Sequence, residues 1–330
     1  MYFFLIVLTL LYICSLIEPF RNNFYPLDKD RTLCLKGILS FLIIAFHIQF
    51  LVDIPILFLF NSWGAPVVSL FFFISGYGST CSYLKKGNRY LDGFFYRRIW
   101  KTIKPFLIVT LIYMVLEFMD KGYLSSPSLV ELIRKGDTIL PYSWFVIAII
   151  IQYLFFFFSF KYGITMRRKI IYVLVLTIIG MIIMSSIHYG RHWWVSSLAF
   201  PAGMVYAFKE SSWNSILKQK KWRFLFMPVI CVVILIVVMS KVEALFTIVY
   251  ILIPLLVVYL ISYVGGNRNK IMMFLGSISY EIYLFHGVSM YILRGKHIYV
   301  ESDYLFVLLV CVCTILFSYC LHKVIYGDKK

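Results

Sequence analysis

Long apolar runs, set apart by charged or polar breaks, limit this chain more than any other feature. A helix needs about 20 mostly apolar residues to cross the hydrocarbon core of a bilayer. Eleven runs meet or approach that length: residues 2–17, 33–52, 64–80, 100–118, 143–160, 169–187, 193–208, 223–240, 243–263, 276–293 and 303–322. Membrane β-strands would alternate apolar and polar residues over about ten positions, yet stretches such as YLFFFFSF and CVVILIVVMS are apolar on every side. Charged residues make up only 14% of the chain, against roughly 25% in an ordinary soluble domain. The expected fold class is an all-α polytopic membrane protein with about 11 transmembrane helices. Disorder, a coiled coil and a cytosolic two-layer enzyme are excluded by the same pattern.

The net charge of +17 would point to nucleic acid in a soluble protein, but in a membrane protein it first concerns topology. Assigning the breaks alternately to the two sides places 25 of the 32 Lys and Arg residues on one side and 7 on the other. The rich side is expected to be cytoplasmic, which puts the N-terminus outside and the C-terminus inside. Residues 1–17 lack a basic leader and a small-residue cleavage site, so they read as an uncleaved anchor. The seven cysteines lie within or beside apolar runs with no CxxC or metal-ligand spacing, and no metal site is expected. Among the breaks, 81–99 and 119–142 are the longest, and both are too short to fold independently.

Ionisable groups inside hydrocarbon are costly and mark candidate functional positions. The run LCLKGILSFLIIAFHIQFLV contains Lys36 and His47. Eleven helical steps of about 100° come to about 1,100°, some 20° past three turns, so both residues share a face about 16 Å apart along the axis. Ser40 falls on the same stripe. Lys36 alone would be a lysine snorkelling to the inner surface, and His47 alone a hydrogen-bonded packing residue. Together they outline a tunnel with a cation at its inner end and a proton-transfer group deep inside. The basic segment RRIWKTIKP adds Arg97, Arg98 and Lys101 beside the inner leaflet, where Arg binds phosphate through its two-pronged guanidinium. Any cytoplasmic loop is also expected to be basic. A second intramembrane histidine, His286, shares a face with Tyr283, whereas Glu281 lies about 140° away. His188, His192, His297 and His322 fall in turns or flanking segments and carry no functional signal.

Several of these segments resemble the integral-membrane acyltransferase family 3, which includes bacterial polysaccharide O-acetyltransferases. LKGILSFLIIAFH is similar to the family's LRGIA-to-histidine block, with Lys36 where the family usually has Arg. LFFFISGYG followed by YRRIWKTIKP, then SWFVIAIIIQY, LAFPAGMVYA and LGSISYEIYLFHG, resemble its later landmarks in order, over about residues 28–322. The resemblance implies a ten-helix core in 28–322, an extra N-terminal helix at 1–17 and a short cytoplasmic tail at 323–330. It also implies transfer of an acyl group, most often acetyl, from acyl-CoA to a hydroxyl of a cell-envelope or exopolysaccharide glycan or its lipid-linked precursor. No tightly bound cofactor is expected, no nucleic acid, and residence in the bacterial cytoplasmic membrane beside glycan-synthesis machinery. In that reading His47 is the general base or forms a transient acyl-histidine. Lys36, Arg97, Arg98 and Lys101 hold the CoA phosphates, while Ser40, Ser75, Trp144, Glu281, Tyr283 and His286 line the tunnel or acceptor route. Two other classes remain open at this point. A transporter or flippase of glycan precursors would share the helix number, and a non-catalytic scaffold of a glycan-export complex would share the hydrophobicity.

Overall fold

The structure is a computed structural model that describes residues 27–123, 136, 138–219, 229–264 apart from seven scattered positions between 231 and 244, and 269–327. The expected helix at 2–17 and most of the one at 223–240 lie outside the described residues. The regular elements are α1 (Lys29–Ile48), α2 (Gly64–Lys86), α3 (Lys101–Lys121), α4 (Trp144–Tyr162), α5 (Met166–Ser186), α6 (Ala199–Phe208), α7 (Glu210–Leu217), α8 (Phe246–Val264), α9 (Lys270–Ser277), α10 (Ser279–Leu293) and α11 (Asp303–Tyr326). Among the described residues six helical segments are long and apolar enough to cross a membrane, or seven if α9 and α10 count as one bent span. The protein is therefore a multi-pass membrane protein.

Two expected spans take other forms. The run 193–208 becomes a 3-10 turn at Arg191–Trp193 and a series of turns, and α6 then has only 10 residues. The run 276–293 is broken at Ile278, where α9 and α10 meet at 74°. Apolar composition alone does not register either interruption, because every residue at the breaks is compatible with burial.

Two compact units are formed. One holds most of α2, the later part of α4 and α5 to α8; the other holds most of α1, α3, the start of α4 and α9 to α11. In the first unit, α2 and α6 approach through reciprocal glycines. A Cβ on Gly76 would run into the Phe200 carbonyl, and one on Gly203 into the Phe73 carbonyl. Small residues let helices come this close in lipid, where packing rather than water exclusion drives association. The buried Lys169 is held by its bond to the Tyr83 hydroxyl and lies 4.5 Å from the Tyr83 ring centre and 5.6 Å from that of Phe160, which offsets the loss of water by cation–π attraction.

The second unit is built on the same economy of contact. Asp28, which belongs with the first unit, accepts the Arg31 backbone N–H at 2.8 Å and so starts α1; the helix from Leu33 onward lies in the second. On α3, Leu107, Leu111 and Val115 form an exposed stripe at four-residue spacing, and Val109, Tyr113 and Glu117 form a buried one. One face meets lipid and the other meets protein. Pro105 has no N–H to give to the Lys101 carbonyl, and that carbonyl instead accepts the Tyr326 hydroxyl of α11 at 3.3 Å. The neighbouring Thr102 carbonyl accepts the Tyr280 hydroxyl of α10 at 2.7 Å. A π-helical turn, Phe95–Trp100, precedes α3 and carries Arg97 and Arg98. Along α10, twelve of the fifteen residues are buried, which makes it the central helix of the unit.

Candidate active site

The last turn of α1, the middle of α10 and the loop entering α4 bring three rings together. His47 is buried near the end of α1. Its ring centre lies 3.9 Å from that of Tyr142 and 5.0 Å from that of His286, and Tyr142 lies 5.4 Å from His286. Tyr142 has φ 63°, the left-handed region that residues other than glycine seldom enter. Its carbonyl accepts the Tyr283 hydroxyl, and this bond from the central helix holds the loop in that conformation. Backbone held this way is common where a side chain must be aimed at a reacting group. Burial pushes the Tyr142 phenol above its ordinary pKa, so it stays neutral.

α1 reaches this position because its first half is pressed against α9. A Cβ on Gly37 would run into the Met272 carbonyl, and one on Gly276 into the Leu33 carbonyl. The two glycines thus lock the helices together near Lys36. The bend at Ile278 then turns α10 so that Tyr283 and His286 face the His47 end.

The remaining expected site residues separate into groups. Lys36 is half-buried and close enough to Arg98 for their charges to act on each other; Arg97 is exposed. Ser40 is buried but gives its hydroxyl to the Lys36 carbonyl at 2.8 Å, so its own helix satisfies it. Trp144 is half-buried and packs edge-on against Phe145, and Phe145 meets Tyr283 at 5.6 Å. Ser75 lies half-buried on α2, within the first unit.

Glu281 and Lys101 sit in a different setting. Glu281 is buried, and its Oε1 lies 2.8 Å from Nδ1 of His322 on α11. These two residues line a cavity of about 520 Å³ together with Lys101, Lys323, Tyr280 and Tyr326. His322, which carries no signal as an isolated residue, is thus the partner of a buried carboxylate. A buried charge left alone is strongly unfavourable, so Glu281→Leu is expected to free His322 with little change in thermal stability. Ala at His322 is expected to lower the thermal midpoint by several degrees, roughly 1–3 kcal/mol for a stranded buried acid.

Sequence reasoning missed Tyr142 and His322. Tyr142 had one local signal, its place directly before the segment SWFVIAIIIQY; His322 had none, because its role depends on a contact with another helix. Among the described residues no three His, Cys, Asp or Glu side chains converge as a metal site requires. A family model described as an acyltransferase domain matches residues 33–323. Searches of curated proteins and of solved structures found no match to the chain.

Proposed function

The chain belongs to acyltransferase family 3 and is an acyltransferase, and from that premise we propose that it moves an acetyl group from acetyl-CoA to a hydroxyl of an envelope or exopolysaccharide glycan, or of its lipid-linked precursor. The observation that carries this reading is the buried cluster of His47, His286 and Tyr142, which offers proton-transfer chemistry inside a membrane domain. His47 acts as general base. Its free ring nitrogen takes the proton of the acceptor hydroxyl as the oxygen attacks the thioester carbonyl. The carbon–sulfur bond then breaks, and the departing CoA thiolate recovers the proton from the imidazolium. Histidine suits both steps because its ordinary pKa is close to neutrality.

The donor enters from the cytoplasmic side, which the positive-inside asymmetry assigns to Lys36, Arg97, Arg98 and Lys101. Lys36 and Arg98 are two cations within electrostatic range of each other, an arrangement that an anionic phosphate between them relieves. About 16 Å of helix separates Lys36 from His47, a span for the pantetheine arm. Lys36→Ala is expected to raise the apparent KM for acetyl-CoA about tenfold with kcat little changed, and Lys36→Arg to restore it. An unchanged KM in the alanine variant would remove the phosphate role. The multi-pass fold and the excess of cytoplasmic cations support residence in the bacterial cytoplasmic membrane.

The test of the activity is mass spectrometry of envelope glycans from a deletion strain. An acetyl group missing from one glycan, and returned by the intact gene, is the expected result. An unchanged glycan profile, with transport of a glycan precursor lost instead, would favour the flippase reading.

A further inference from the structure

Two histidines are buried in the cluster, and a single general base accounts for one. His286 is fully buried, and its Nδ1 lies 2.5 Å from the Tyr283 carbonyl oxygen. A carbonyl only accepts, so Nδ1 carries the ring proton and donates it to that bond, which leaves the lone pair on Nε2. That Nε2 is buried and has no hydrogen-bond partner among the described residues. Buried acceptors rarely stay unmatched, and each one calls for an explanation.

His47 stands where the lone pair can be used. The two ring centres are 5.0 Å apart and the planes meet at 35°. An imidazole nitrogen lies about 1.1 Å from its ring centre, so a straight N–H···N bond of about 2.9 Å separates two centres by about 5 Å. The Tyr142 ring, packed against both histidines, closes one side of the pair.

We propose that His286 is the positioning partner of His47: Nε2 of His286 accepts the N–H of His47 and holds it in one tautomer, with its other nitrogen unprotonated and open to the acceptor hydroxyl. This rests on the reading of His47 as the base. The bond to Tyr283 fixes the proton of His286 on Nδ1, so its Nε2 can only accept, and the contact forms when the His47 ring turns its N–H toward it. Catalytic hydrogen bonds are often long before substrate binds. His286 receives no proton during turnover. The hydroxyl proton goes to the open nitrogen of His47 and then to the thiolate, and the lone pair of His286 stabilises the imidazolium between those steps. A carboxylate plays the corresponding part in serine hydrolases.

The test uses the full chain labelled with 15N-histidine in lipid nanodiscs, with the His47 signals identified from His47→Gln. Wild-type protein is expected to show His47 as one tautomer. In His286→Met, which keeps bulk but has no nitrogen acceptor, His47 is expected to exchange between both. Transfer of labelled acetyl from acetyl-CoA to glycan in membrane vesicles gives the second readout. His286→Met is expected to lose about 100-fold in kcat with KM unchanged, and His286→Gln, whose amide oxygen reaches the same place, to regain at least about tenfold of it. Two His47 tautomers in wild-type protein would overturn the proposal, as would an undiminished kcat in His286→Met or equal losses in the Met and Gln variants. If His286→Met fails to fold, the wild-type spectrum still decides. If His47→Gln transfers acetyl normally, the base reading fails while the spectrum still reports on the pairing.

Discussion

Replacing His47 by alanine is expected to abolish acyl transfer while the protein remains inserted in the membrane. The residue is buried at the end of α1, against the rings of Tyr142 and His286. Lost proton transfer alone lowers a rate by about 10²- to 10⁴-fold, which in a cell is indistinguishable from no glycan acetylation. Alanine also leaves a cavity, so His47→Gln serves as a variant of similar size without a titrating ring. Both are expected to give wild-type protein levels and a wild-type elution profile in detergent, with no acetyl on the glycan by mass spectrometry. Normal acetylation in either variant would end the assignment of His47 as the base.

The second large effect concerns a residue that does no chemistry. Gly276→Val is expected to destabilise the protein and to remove activity, because a Cβ at that position would collide with the Leu33 backbone. Backbone does not yield as a flexible side chain does, so α1 must separate from α9. Overpacking of this kind costs about 1–3 kcal/mol, a fall of several degrees in thermal midpoint at about 2–4 °C per kcal/mol. Displacing α1 also moves His47 relative to α10, and small misplacements of a reacting group are felt in rate. Gly78→Ala is the control, since a Cβ there meets nothing within 4 Å. Equal melting of the two variants would show that the α1 and α9 contact does not set the geometry of the site.

Much of the fold was legible as sequence because lipid is a demanding solvent. In hydrocarbon every backbone polar group must be satisfied within its own segment, so long apolar runs have little choice but to be helices. The runs at 33–52, 64–80, 100–118, 143–160, 169–187 and 303–322 all correspond to helices long enough to cross. The break at Ile278 and the short α6 were not legible, because GSIS and SSLA contain nothing that forbids a continuous helix. Close to each of them a glycine lets a neighbouring helix come near, Gly276 against α1 and Gly203 against α2.

Lys36, Ser40 and His47 could be placed on one stripe from spacing alone, since helical periodicity is a local property of the chain. The same spacing set Glu281 apart from His286 but gave no partner for it. The sequence by itself determined that the chain is a helical membrane protein with two histidines in its spans and a family's motifs in order. Tertiary structure alone decided that those histidines meet, that Tyr142 packs against both in a left-handed conformation, and that Glu281 turns to His322. Periodicity fixes which residues share a face of one helix; which faces meet depends on the packing of all the helices at once, and on the few glycines that let two of them touch.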